Sequence, residues 1–90
     1  MRIVNQDKDI IVTLEDKDEL YIEDKYYNDI LFGTNIMFKG ISGPILLGTF
    51  DIKEDAIQVK NEILNLFCKG FKDYSIPEDS LILLDIPKEG

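Results

Sequence analysis

Histidine is absent from this chain of 90 residues, and cysteine occurs once, at Cys68. Without histidine, the commonest general base and the commonest metal ligand are both missing. Ser42, Ser75 and Ser80 therefore have no imidazole to activate them as nucleophiles. A single cysteine excludes an intramolecular disulfide and a thiolate metal cage, and Cys68 reads as a small apolar residue on a helix. No apolar run approaches the ~20 residues of a membrane-spanning helix. Met1-Arg2-Ile3-Val4 leads straight into a strand pattern instead of the pattern of a signal peptide. Positive charge is also scarce, with 10 basic residues against 18 acidic and a formal net charge of −8. Such a chain repels nucleic-acid backbones and anionic membranes, so neither is an expected partner. A basic protein is the natural complement. These absences lead to the expectation of a cytoplasmic protein that is not an enzyme and carries no cofactor.

What is present points to one globular domain. Hydrophobic residues make up 44% of the chain, too many for a disordered segment. A chain this short buries only about 60–65% of its unfolded surface, which leaves a thin stability margin and little core from which to carve a deep cleft.

The stretch from Asp51 to Lys69 carries the clearest pattern. Asp51 with Glu54 three residues on reads as an N-cap and capping box. Ala56, Val59, Ile63, Leu66 and Phe67 then recur at helical spacing, and Gly70 follows as a left-handed stop. Ile57, Leu64 and Cys68 widen the apolar arc beyond what one sheet face needs. That surplus makes Ile57, Leu64 and Cys68, with Leu81 and Leu83 of the apolar C-terminal tail, the candidate face for tail docking or for a homodimer.

Around this helix the chain reads as short strands. Arg2–Asn5 and Ile10–Leu14 flank a polar turn, and Leu20–Tyr27 alternates as one buried face requires. Ile30–Lys39 contains Gly33, which suggests a bulge or bend, and Gly40-Ile41-Ser42-Gly43-Pro44 is the clearest loop. Ile45–Phe50 is nearly all apolar, as for a strand in the middle of a sheet. Residues 71–80 read as irregular chain with aromatic anchors. The expected fold is α+β: a small, mostly antiparallel meander of four to six strands packed on one amphipathic helix. Residues 1–80 form the domain, and residues 81–90 read as an extension, with an added edge strand as one reading of its apolar run.

The densest charge lies in Glu15, Asp16, Asp18, Glu19, Glu23 and Asp24. A calcium loop needs a central glycine and a terminal glutamate at fixed spacing, and this stretch has neither. The residues read as a solvated edge that resists aggregation or as a surface for a basic partner. Gly40–Pro44 lacks the lysine and following helix of a phosphate loop. The only basic residues suited to an anionic small ligand, such as a nucleotide signal, are Arg2, Lys39, Lys60 and Lys69.

Three segments resemble a loose family of small, mostly uncharacterised proteins of low-GC Gram-positive bacteria, their phages and integrative elements. Met1-Arg2-Ile3-Val4-Asn5-Gln6-Asp7 is similar to the family opening, in which Met-Arg-Ile, two variable residues and Gln-Asp begin the chain. Leu47-Gly48-Thr49-Phe50-Asp51 through Ala56 resembles its strand-to-helix junction. Phe71 with Ile76-Pro77-Glu78-Asp79 resembles its closing aromatic and Pro-acidic segment. The chain departs from the family at Ile11–Glu15, where Asp-Val-Pro-Tyr-Glu is usual. The resemblance implies a sheet-plus-helix fold and a mobile-element setting, and it carries no activity and no site residues. With that setting, the expected function is a non-enzymatic module that binds a host protein through an acidic surface. A small-ligand binder and a purely structural homo-oligomer are the alternatives.

Overall fold

The computed structural model of the protein describes residues 1–79. The elements in chain order are β1 (Arg2–Val4), β2 (Ile11–Thr13), β3 (Glu19–Tyr27), β4 (Ile30–Gly40), β5 (Gly43–Phe50), α1 (Lys53–Cys68) and β6 (Asp73–Ser75). The fold is α+β, with two three-stranded sheets packed against one helix. One sheet is a meander of order β3-β4-β5, antiparallel throughout. The other has the order β2-β1-β6, antiparallel between β1 and β2 but parallel between β1 and β6. The segment read as irregular chain after the helix thus holds a strand, because α1 is the crossover that a parallel partner for β1 requires.

Local chemistry explains the turns. Asn5 closes the β1–β2 connection: its Oδ1 accepts from the Asp9 N–H at 2.9 Å and the Ile10 N–H at 3.0 Å, and its Nδ2 donates to Asp9 at 2.8 Å. Asn28 and Asp29 both take positive φ, 51° and 64°, as a two-residue hairpin turn matched to strand twist demands. The glycine-linked irregularity expected in β4 is present: Lys25 faces Gly33 but Tyr26 faces Leu31, which leaves Phe32 as the extra residue of a bulge.

A second bulge corrects the placement of β5. The strand lies at the edge of its sheet, not in the middle. Leu47 is the extra residue between the Ile36–Gly48 and Met37–Leu46 pairs. Its side chain is fully buried while Leu46 stays exposed. An apolar run that looks like a two-sided central strand thus comes from one bulged residue turned inward.

The helix begins one residue later than its sequence signal. Ile52 is the N-cap, and no side chain caps it, so the Asp51–Glu54 capping box does not form. The Asp51 N–H instead donates to Asp79 Oδ2 at 3.1 Å. The chain after β6 is thereby tied to the residue just before the N-cap. At the other end Gly70, at φ 87°, completes a Schellman motif, with Gly70 N–H to Phe67 O and Phe71 N–H to Leu66 O.

The core joins both sheets and the helix. Ile3, Val12, Leu14, Leu20, Ile36, Phe38, Leu47, Phe50, Ala56, Val59, Ile63 and Ile76 form one buried cluster. Gln6 fastens the sheets across it. Its backbone N–H donates to Leu47 O at 2.7 Å, its Oε1 accepts from the Thr49 N–H at 3.0 Å, and its Nε2 donates to Pro77 O at 3.2 Å. One side chain thus occupies the outer edge of β5 and ties down the segment that follows β6. The glutamine of the opening Gln-Asp pair has a structural task that its spacing does not reveal.

Candidate functional site: the outer face and edge of β3

Strand alternation divides the β3-β4-β5 sheet into two faces. Leu20, Ile22 and Asp24 of β3 share a face with Ile36, Phe38 and Phe50, the face turned to the core. Asp24 holds Lys53 of α1 at 3.1 Å on that side. The other face carries Glu19, Tyr21, Glu23, Lys25 and Tyr27 along β3, beside Met37 of β4 and Leu46 and Thr49 of β5. Among the described residues, no element covers this second face.

The acidic residues singled out in the sequence do not share one surface. Asp18 closes the β2–β3 turn: its Oδ2 accepts from the Glu15 N–H at 3.0 Å, and its own N–H donates to Glu15 O. Asp24 points inward, pairs with Lys53 and accepts from Thr34 Oγ1 at 3.4 Å. Glu15, Asp16, Glu19 and Glu23 remain exposed, from the turn along β3. Glu15 has a loose contact with Lys17 at 3.9 Å.

The sequence pattern misses the apolar content of the hairpin end. Tyr27, Ile30 and Phe32 are 70%, 70% and 65% exposed, and Tyr26 and Leu31 lie beside them. From Gly33 towards the turn, the β3–β4 hairpin has no third strand among the described residues, because β5 pairs with β4 only from Thr34 to Gly40. Lys25 Nζ sits 5.3 Å from the centre of the Phe32 ring, a cation–π contact. Alternating apolar residues in Leu20–Tyr27 look like core side chains, and only the length mismatch between strands reveals that these are not covered.

On the helix, Ile57 and Leu64 are each 37% exposed and Cys68 is exposed. All three lie outside the buried stripe of Ala56, Val59 and Ile63. Leu81 and Leu83 lie outside the described residues, as does the extension proposed for residues 81–90. Arg2, Lys39, Lys60 and Lys69 are dispersed over β1, β4 and α1, and Arg2 pairs with Asp73 at 2.8 Å.

One buried charge stands apart. Asp55, in the first turn of α1, is 4% exposed, and its Oδ2 has no hydrogen-bond partner among the described residues. Burial raises its pKa above the ordinary carboxylate value, and the negative charges of Asp79 and Glu54 push it further up. Two turns further along the same flank of the helix, Tyr74 donates to Glu62 at 2.6 Å. Burial, with the adjacent Glu62 charge, raises the phenol pKa.

The depressions lined by the described residues are open to solvent. A depression of about 220 Å³ lies between the β1–β2 turn and β5, lined by Asn5, Gln6, Asp9 and Leu46–Thr49. Among the described residues no group of three or more His, Cys, Asp or Glu side chains is placed to hold a metal ion. No described helix is long and apolar enough to cross a membrane. The most exposed feature is a strand edge with carboxylates, ending in aromatic side chains. Comparison with protein-family models, with curated proteins and with solved structures returns no match for this chain.

Proposed function

We propose that this chain is a non-enzymatic protein-binding module of a phage or mobile element, acting in the cytoplasm on a basic host protein. The observation that carries this reading is the run of exposed Glu15, Asp16, Glu19 and Glu23 leading into the exposed aromatic hairpin end at Tyr26 and Tyr27. Aromatic anchors supply most of the energy in protein interfaces, while charges at their rim select the partner and speed its approach. A net charge of −8 favours a basic partner by long-range attraction. The resemblance to small phage and integrative-element proteins supplies the setting.

The test is site-specific photocrosslinking in host cells, with the reactive side chain at Tyr27 and a control at Asn61 on the exposed side of α1. The expected result is one defined adduct with a host protein, not with a second copy of this chain, from Tyr27 alone. Glu15→Lys with Glu19→Lys should abolish it, and binding of the recovered partner should weaken with salt. An adduct insensitive to both the charge reversal and salt would refute the acidic surface. No adduct distinct from the Asn61 control would refute the binding module.

A further inference from the structure

We propose that β3 pairs antiparallel with β3 of a second copy, around a two-fold axis beside Asp24. A second copy would take the same Glu23, Tyr26 and Tyr27 that the host-binding reading uses, so the two are alternative occupants of one surface. The pairing follows from the two edges of the larger sheet. The outer edge of β5 is occupied along Leu47–Thr49, where Gln6 takes both the Leu47 carbonyl and the Thr49 N–H. The outer backbone groups of β3 have no hydrogen-bond partner among the described residues. A nine-residue strand with one open edge is a template for another strand.

The side chains say which strand fits. With Asp24 on the axis, Glu23 of one copy lies opposite Lys25 of the other, and Lys25 opposite Glu23. Tyr21 meets Tyr27 on the same outer face, and Ile22 meets Tyr26 on the inner face. Opposite charges and aromatic pairs are favourable cross-strand neighbours, and like charges directly opposite are not. Within residues 21–27 the one like-charge encounter is Asp24 with Asp24, and each of these carboxylates already holds Lys53 at 3.1 Å. A two-fold contact must be self-complementary, and residues 21–27 are.

Tyr26 and Tyr27, at the hairpin end of β3, are 63% and 70% exposed, and each has on the order of 100 Å² to bury against a partner strand. Antiparallel pairing lays each hairpin end, with Tyr26 and Tyr27, along the Tyr21–Ile22 end of the partner strand. The two meanders become one six-stranded sheet.

Charge-swap variants, followed by sedimentation equilibrium and amide hydrogen exchange, test this on the full chain. Wild type should sediment at twice its 10.4 kDa mass at micromolar concentration, with the β3 amides protected. Glu23→Lys and Lys25→Glu should each weaken the dimer at least tenfold, with circular dichroism unchanged. The double variant carrying both should return to within threefold of wild type, because the swapped pattern is again self-complementary. A wild-type monomer at several hundred micromolar overturns the proposal. Protected β3 amides in such a monomer would assign the edge to this chain's own residues 81–90. A dimer indifferent to both single variants also overturns it and moves the contact elsewhere, with the Ile57–Leu64–Cys68 flank next in line.

Discussion

Truncating Gln6 should cost this protein more than its position in a short polar turn suggests. Gln6→Ala leaves the backbone bond to Leu47 in place but removes two side-chain bonds, from Thr49 N–H at 3.0 Å and to Pro77 O at 3.2 Å. Each is worth about 1 kcal/mol net, and leaving the partly buried Thr49 N–H without an acceptor adds ~1 kcal/mol or more. The expected loss is about 2–3 kcal/mol, a large share of the ~5–13 kcal/mol typical of a domain this size. At a urea slope of roughly 1–1.5 kcal/mol/M, the midpoint should fall by about 2 M. Gln6→Glu separates the contributions: it keeps an acceptor for Thr49 but loses the donor to Pro77 and brings a charge towards Glu78 and Asp79, which line the same depression. It should therefore lose stability at pH 7 and recover part of it in acid. Urea titration followed by circular dichroism measures both. A loss below about 0.5 kcal/mol for Gln6→Ala would mean that water replaces the clamp, and the account of how β5 is sealed would fail.

Asp55 has a folded-state pKa above its ordinary value, so the ionised form is penalised. The stability linked to this group is fully present below the ordinary value of about 3.9 and is lost as pH rises through the folded-state pKa. Asp55→Asn should raise the urea midpoint at pH 7 more than at pH 4; an equal shift at both would contradict the burial of a charged carboxylate. Gly48→Ala should destabilise by about 1–3 kcal/mol, because a Cβ there would sit 3.0 Å from Ile76 Cγ2 and 3.3 Å from Gln6 Cβ. A neutral midpoint would show that the two sheets can part slightly. On the helix, Ala56→Glu places a carboxylate at a fully buried site and should leave the chain unfolded at 25 °C by circular dichroism. Leu64→Glu, on the exposed flank, should cost about 1 kcal/mol or less. Comparable losses for the two would mean that the flank is covered.

Much of this architecture was legible because it rests on local physics. The β3–β4 turn follows from Asn28-Asp29, the end of α1 from Gly70, and the buried stripe from Ala56, Val59 and Ile63 at helical spacing. The start of the helix was misread because Asp51 is a good cap in isolation, and no local rule shows that Asp79 will serve its N–H. β5 was misread as central because alternation fails at a bulge, and Leu47 bulges. β6 was missed because three residues carry too little pattern to announce a strand when the pairing partner, β1, is some seventy residues away.

The candidate surface divides in the same way. Composition alone determined that the chain is strongly acidic, has no histidine and holds one cysteine, since these are sums over residues and need no geometry. Only the tertiary structure decided that Asp18 and Asp24 serve a turn and an ion pair while Glu15, Asp16, Glu19 and Glu23 face solvent. It also decided that Gln6 covers Leu47–Thr49 of β5, while the outer edge of β3 has no partner among the described residues. Exposure and edge pairing depend on which distant segments arrive at a strand. A period of two along β3 records only that its faces differ, not which of them is left uncovered.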